Sequence, residues 1–475
     1  MRALLNVEAL FAWLVLVGAF LLRRGAGKAA EQSDGARWRL LLLAIPAALL
    51  WTVTFPLLSD DFVHISSALH FTASRIPGLF TIPASDRFFR PLGYLSYGVD
   101  ALWTGRNPAL WHLATLLFHF ANCALVYRIG RQTGLTRAFA ATAAAIFGIH
   151  GSRPEAVTWI ACRFDLIATL FVLIAILLYL KPDRPALYVL ALLAAFLGLL
   201  SKESAYVLPI LLLIVGGVGR WRRTIPFAAM AAAVFLYRWR LLSGIGGYQT
   251  EAHTAAILNF NLFRTLNALL LRLWATLFFP INWTRNPQWW LSAALVLGAA
   301  GYLAIGLRGS RDRRALSFLL FALVAALPAQ QLLLIAADLE KSRVLYLPSV
   351  GFALFLAFAL QSLARPGWRL SAAMAIVVFQ VACLEHNLIV WRGVAMAGEQ
   401  ACDSVAAALE GNRRSVTVQG LPNVLRGVYF FYTGMPECLE ILHDVDPDRI
   451  RGRDGELVFQ WDGKSDSMRR VAPRD

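Results

Sequence analysis

Two adjacent carboxylates, Asp60 and Asp61, stand in the stretch Leu57-Leu58-Ser59-Asp60-Asp61-Phe62-Val63-His64, directly after an apolar segment at 38–57 that is long enough to cross a bilayer. An acidic pair there sits at the lip of the membrane, where it costs less than in hydrocarbon and can face a cavity. A carboxylate so placed can take the proton of an attacking hydroxyl, or it can simply end a helix at the water interface. Other polar residues gather at the ends of apolar runs: Arg87, Arg90 and Asp100; His150, Arg153, Glu155, Arg163 and Asp165; Lys202 and Glu203; Asp338, Glu340, Lys341, Arg343 and Tyr346. Taken singly, each is also consistent with an interface anchor or a mutual salt bridge. Together they suit transfer of a sugar from a lipid phosphate. The acceptor hydroxyl needs a base, and the phosphate gains charge as it leaves, so arginines or a lysine stabilise it. Phosphate departs without protonation, so the second carboxylate that glycoside hydrolysis requires is not needed.

The elements that must position these residues are membrane helices. The chain is 58% hydrophobic and 16% charged, with repeated apolar runs, which defines an all-α polytopic membrane protein. Its net charge of +16 does not indicate a nucleic-acid partner, because the basic residues recur in short clusters between apolar runs, without one aromatic-interleaved patch. The five cysteines show no metal-ligand spacing. Cys402 and Cys438, in the polar tail, can pair if that tail lies in an oxidising compartment.

A first span at 3–22 is followed by Arg23, Arg24, Lys28, Arg37 and Arg39, which the positive-inside rule places in the cytoplasm. The span at 38–57 then runs outward, and Asp60 and Asp61 emerge on the extracytoplasmic face. Residues 58–108, broken by Pro77, Pro83, Pro91 and Pro108, read as a large outer loop with short interfacial helices. Spans at 109–127, 138–150, 164–180, 185–200, 205–219, 224–241, 289–307, 315–335, 346–364 and 369–386 follow, giving about twelve. The segment 255–282, which carries Arg264 and Arg272, reads as interfacial or re-entrant, because a full crossing would invert the basic loop at 308–314. The membrane domain is thus 1–386, and 387–475 is a small extracytoplasmic α/β domain. In that domain 394–410 has helical spacing, Ser415–Val418 and Glu456–Phe459 read as strands, and Gly434-Met435-Pro436 as a turn.

Several motifs resemble one family: Asp60-Asp61 after a span, Phe89-Arg90-Pro91-Leu92, Asn107-Pro108-Ala109-Leu110-Trp111-His112-Leu113 with His119, the run from His150 through Glu155 and Arg163 to Asp165, Ser201-Lys202-Glu203, and Ser342-Arg343-Val344-Leu345-Tyr346-Leu347-Pro348-Ser349. In order and spacing they are similar to the GT-C glycosyltransferases, in particular the protein O-mannosyltransferase-like branch and the membrane part of the TMTC proteins. The resemblance covers most of 40–395 and implies a GT-C-like helical bundle. It also implies a polyprenyl-phosphate-linked sugar donor and a hydroxyl acceptor on a protein, lipid or glycan. The base falls on Asp60, with Asp61 orienting the acceptor or a partner group. Arg343 takes the donor phosphate, with Arg163, Arg90 and Lys202 as further ligands of the same anion, and His150, Glu155, Tyr346 and Glu203 contact substrate. Gly151 stands where the family usually has proline after the histidine. The tail lacks the 34-residue period of the TMTC repeats, so their acceptors do not transfer to this chain.

A divalent ion bridging Asp60 or Asp61 to the donor phosphate is chemically reasonable, although no ligand spacing demands one. Asp444-Val445-Asp446 formally matches the Asp-x-Asp of nucleotide-sugar enzymes, but nucleotide sugars are cytoplasmic and this tail is expected outside. Two other classes use the same residues: a transporter or flippase of lipid-linked sugars, for which no paired internal repeat is visible, and a non-catalytic GT-C-like scaffold. Abundant Ala, Leu and Arg without a sorting signal point to a bacterial inner membrane.

Overall fold

The computed structural model describes residues 2–21, 38–82, 87–181, 184–247, 261–308, 313–329, 333–409, 415–450 and 457–471. The basic run at 23–37, Pro83, Arg311, Glu456 and residues 255–260 lie outside these. The described chain is a helical bundle with a small strand-containing module at its C-terminal end. Several helices are long and apolar enough to cross a membrane, among them Pro108–Thr133, Ile160–Tyr179, Trp289–Leu307 and Pro366–Leu409, and the protein is an integral membrane protein.

Local chemistry sets the helix boundaries. Pro108–Thr133 begins with the Asn107 side chain accepting from the Ala109 amide at 3.0 Å and proline in its first turn. It ends at Gly134, in the left-handed region at φ 108°, where the Leu135 amide returns to the Gly130 carbonyl at 2.9 Å. Pro348–Gln361 is apolar around its whole circumference and buried along nearly its full length, so it forms the centre of the bundle. Arg313–Ala326 packs closely on it: a Cβ at Gly351 would stand 2.6 Å from the Phe318 carbonyl and the Ala322 amide nitrogen.

The spans expected at 3–22, 38–57, 109–127, 138–150, 164–180, 185–200, 205–219, 224–241, 289–307 and 346–364 fall on helices, and the one expected at 315–335 is helical only through Ala326, with a 3-10 turn at Leu327–Ala329 and irregular backbone at 333–335; short helices Asp60–Leu69, Ile76–Thr81 and Pro91–Thr104 lie within 58–108. Three expectations change. The last span does not stop at 386: Pro366–Leu409 is one helix of 44 residues, roughly 66 Å long and about twice the hydrocarbon thickness, so 394–409 continues the span into the module. Gly434-Met435-Pro436 is not a turn but the start of the helix Met435–His443, with proline in the first turn. Segment 255–282 contains a helical stretch, Leu262–Asn267 through Leu273–Phe278 with an intervening π segment at Ala268–Arg272. The Gly247 amide bonds the Arg87 carbonyl beside Arg90, and the Leu277 carbonyl meets His150.

In the module, Val416–Gln419 pairs in parallel with Leu457–Asp462, which pairs antiparallel with Ser467–Val471. A two-residue hairpin joins Val424–Leu425 to Val428–Tyr429 through Arg426 and Gly427, both at positive φ, as a type I′ turn requires. A disulfide between Cys402 and Cys438 ties the module's helix to the end of the long one.

Candidate active site

The loops at one end of the bundle enclose a cavity of about 490 Å³. Its charged lining is Arg90, Asp165, Lys202, Glu203, Arg238 and Arg343, and Phe88, Tyr206, Phe235 and Leu347 contribute an apolar wall. Each charge comes from an element end. Arg90 precedes the proline-started helix Pro91–Thr104, Glu203 opens a 3-10 turn, Arg238 lies in the last turn of Trp221–Leu241, and Arg343 belongs to the 3-10 turn Ser342–Leu345.

The charges are paired, unequally. Glu203 accepts from Arg90 Nη2 at 2.7 Å and Nε at 3.1 Å, and from Arg238 Nη2 at 3.4 Å, so two guanidiniums share one carboxylate. Lys202 pairs with Asp165. Arg343 pairs with Glu155, whose second oxygen accepts from the Arg343 amide at 3.2 Å and the Ser342 hydroxyl at 3.1 Å. Among the described residues, Arg90, Arg238, Lys202 and Arg343 therefore face Glu203, Asp165 and Glu155. Arg238 Nε and the Tyr206 hydroxyl, both buried in the lining, have no hydrogen-bond partner among the described residues. Cations beside an apolar wall can take an anion that carries an apolar group.

The adjacent aspartates differ. Asp61 is fully buried, and both its oxygens are taken by backbone: the Ala161 amide at 2.8 Å and the Leu58 amide at 3.2 Å. It fastens the first outer loop to the loop around 161, so the groups it orients in this structure are backbone amides. Burial pushes its carboxyl upward against those two hydrogen bonds. Asp60, in the first turn of Asp60–Leu69, is only partly buried. Its Oδ1 accepts from Thr433 Oγ1 at 2.5 Å and Ser59 Oγ at 3.4 Å, and its Oδ2 has no hydrogen bond among the described residues. A chain of ring contacts links Asp60's helix to the cavity: His64, one turn on, lies 5.7 Å from the Phe164 ring, and the Arg90 guanidinium lies 5.3 Å from the same ring.

Of the residues expected to hold phosphate, Arg343, Arg90 and Lys202 line the cavity and Arg163 does not. Arg163 is fully buried and paired with Asp100, with the Thr115 hydroxyl at 3.1 Å and the Tyr97 ring 4.7 Å away. Three of the four residues expected to contact substrate also stay behind the wall. His150 spans the Ser152 hydroxyl and the Leu277 carbonyl at 2.8 and 2.9 Å, and the Tyr346 hydroxyl meets His119 at 2.7 Å and Asn122 at 3.2 Å. Glu155 is buried behind Arg343 and fixes that side chain. Glu203 alone of the four lines the cavity.

Arg238 was not among the expected site residues. A signal for it exists: Arg238 and Arg240 end an apolar run on the side that the positive-inside rule assigns to few arginines, followed by the glycine-rich Ser243–Gly247. Among the described residues no cluster of three or more His, Cys, Asp or Glu gathers that could hold a metal.

Fold and cavity together define a polytopic membrane protein whose charged site sits at one end of its helical bundle. Sequence relatives bear out the TMTC-like resemblance. Protein O-mannosyl-transferase TMTC3 of Mus musculus is 24% identical over 336 residues, covering 59% of this chain and 36% of that protein. The Homo sapiens TMTC3 is 24% identical over 359 residues, covering 64% and 39%. The Homo sapiens TMTC4 is 25% identical over 376 residues, covering 62% and 50%. The chain thus spans half or less of the length of these relatives. No protein-family model matches the chain. Two solved structures of ArnT from Cupriavidus metallidurans, one bound to undecaprenyl phosphate and one in the apo state, are similar over 90% of this chain and 93% of theirs. Their sequence identity is 14% and their TM-scores are 0.46 and 0.48.

Proposed function

We propose that this chain is a GT-C-type glycosyltransferase that moves a sugar from a polyprenyl-phosphate donor to a hydroxyl acceptor at the extracytoplasmic membrane face. The observation that carries this reading is the cavity in which four cations face three carboxylates beside an apolar wall. A sugar-linked polyprenyl phosphate is a phosphodiester with one negative charge on a long apolar chain, which matches both features. The names of the sequence relatives support the same class.

In this reading the acceptor oxygen attacks the anomeric carbon and its proton passes to Asp60 Oδ2. The bond between the anomeric carbon and the phosphate oxygen breaks, and polyprenyl phosphate leaves with one more negative charge than it brought. Arg90, Arg238, Lys202 and Arg343 stabilise that growing charge from positions set before the reaction by Glu203, Asp165 and Glu155. Orientation is supported by two features. The disulfide between Cys402 and Cys438 fits an oxidising compartment for the module. The described turns at the opposite end, with Arg128, Arg131, Arg220, Arg222, Arg223, Arg313 and Arg314, are basic, as cytoplasmic turns are. The composition supports a bacterial inner membrane, whereas the relatives named above are animal proteins.

The test is a transfer assay with purified protein and a panel of polyprenyl-phosphate sugars. Wild type should release polyprenyl phosphate, and Asp60→Asn should lose about 100- to 10,000-fold in turnover while keeping its melting temperature. Near-normal turnover by Asp60→Asn would overturn the base assignment. Bound donor without cleavage by any variant would favour a transporter or scaffold.

A further inference from the structure

We propose that Thr433 is a positioning residue for Asp60, so that the C-terminal module completes the catalytic centre. The inference rests on the reading of Asp60 as the base. A general base acts efficiently only when one oxygen is held toward the acceptor. Asp60 is only partly buried at a helix start and would otherwise exchange rotamers. Its firmest restraint in the structure is the 2.5 Å hydrogen bond from Thr433, 373 residues away in sequence. That bond occupies Oδ1 and leaves Oδ2 for the acceptor proton.

The placement of Thr433 is itself fixed from several sides. Phe431 stacks on Phe62, one turn or less from Asp60, with ring planes 9° apart. Gly434 lies at φ 97°, and a Cβ there would stand 2.4 Å from the Ser59 carbonyl, so the segment presses directly on the backbone that precedes the base. The Ser66 hydroxyl donates to Glu440 at 2.6 Å, and Tyr429 stacks on Trp159 at 4.7 Å while the Arg343 guanidinium lies 5.1 Å from its ring. Behind these contacts the helix Met435–His443 is held to the long helix by the Cys402–Cys438 disulfide and by His443 on Asp403 at 2.9 Å. The module therefore touches the base through Thr433 and a donor-site arginine through Tyr429.

The experiment compares Thr433→Val, Thr433→Ser and Gly434→Ala in the full-length protein, using a donor that wild type turns over. Melting temperature and an intact disulfide, read by mass spectrometry without reduction, establish that each variant is folded. Thr433→Val should lower kcat about 10- to 100-fold with the donor KM within about twofold, because orientation is lost and donor binding is not. Thr433→Ser should recover most of the activity, and Gly434→Ala should reproduce the kcat loss. In an Asp60→Asn background, Thr433→Val should cost nothing further. Wild-type kcat in Thr433→Val, or an undiminished additional loss in the Asp60→Asn background, would overturn the proposal while leaving Asp60 as base. If Asp60→Asn itself retains turnover, the underlying reading fails instead.

Discussion

Two buried charge clusters lie side by side behind the first outer loop, and the run from His150 to Asp165 contributes to both. Glu155 and Asp165 hold Arg343 and Lys202 at the wall of an open cavity, with Arg90, Glu203 and Arg238 completing it. Arg163, between them in sequence, points the other way, into a sealed cluster with Asp100, Thr115, Tyr97 and Trp111, beside Asp61 and the loop at 161. The sealed cluster is balanced one charge to one and fixes loops. Each cluster holds a buried guanidinium Nε without a hydrogen-bond partner among the described residues, Arg163 in the sealed one and Arg238 in the open one, but only the open one lines a cavity. Burial and ion pairing alone thus do not mark a binding residue; a charged lining that faces open space does.

The contrast can be broken most severely at Arg163. Arg163→Met leaves Asp100 buried and uncompensated and should cost about 3–5 kcal/mol of stability, while the folded fraction keeps its turnover per active molecule. Thermal unfolding beside active-site titration would check this. At the open cluster, Arg238→Ala should leave the melting temperature nearly unchanged, since Glu203 keeps Arg90, and should lower transfer by about 100- to 1,000-fold, as loss of an anion-stabilising donor does elsewhere. Steady-state kinetics against donor concentration would measure it. Asp61→Ala orphans two buried amides, each worth about 1–3 kcal/mol, and should destabilise the loop more than it alters chemistry. Chemical denaturation in detergent would rank it against Arg163→Met.

The smallest effect concerns pH. His64 stacks on Tyr97 at 5.0 Å, and burial lowers its pKa from 6.5 to about 4, against the pull of Asp60. Between those values the unfolded chain binds more protons than the folded one. The neutral ring's contribution is therefore fully present above about pH 6.5 and is lost as pH falls toward 4. Melting temperatures at pH 7.5 and 5 should show the decline in wild type and a smaller one in His64→Phe.

Much of this was legible in the sequence, because span ends follow from apolar length and basic turns, and these alone bring Arg90, Lys202, Glu203 and Arg343 to one end of the bundle. What stayed hidden depends on contacts between distant segments. Adjacent Asp60 and Asp61 look equivalent as letters, yet one helix turn places Asp61 against the amides of 58 and 161 and leaves Asp60 facing the module. Arg163 and Arg343 carry the same side chain, and only packing decides that the first is enclosed by Asp100. Arg238 was obscured by the apolar span that carries it. Thr433 has no signal of its own, since its role exists only once the module docks. The continuity of Pro366–Leu409 was missed because the composition shifts at 387 while the helical backbone does not.

The central claim is that the open cluster is the seat of the lipid phosphate, and equilibrium binding of polyprenyl phosphate to purified protein in a membrane mimetic tests it most directly. Wild type should bind, Arg238→Ala should weaken binding by about tenfold or more, and folded Arg163→Met should bind like wild type, because one charge-assisted contact is worth about 1.5–3 kcal/mol. Equal affinity in wild type and Arg238→Ala would contradict the claim and move the phosphate away from this cavity.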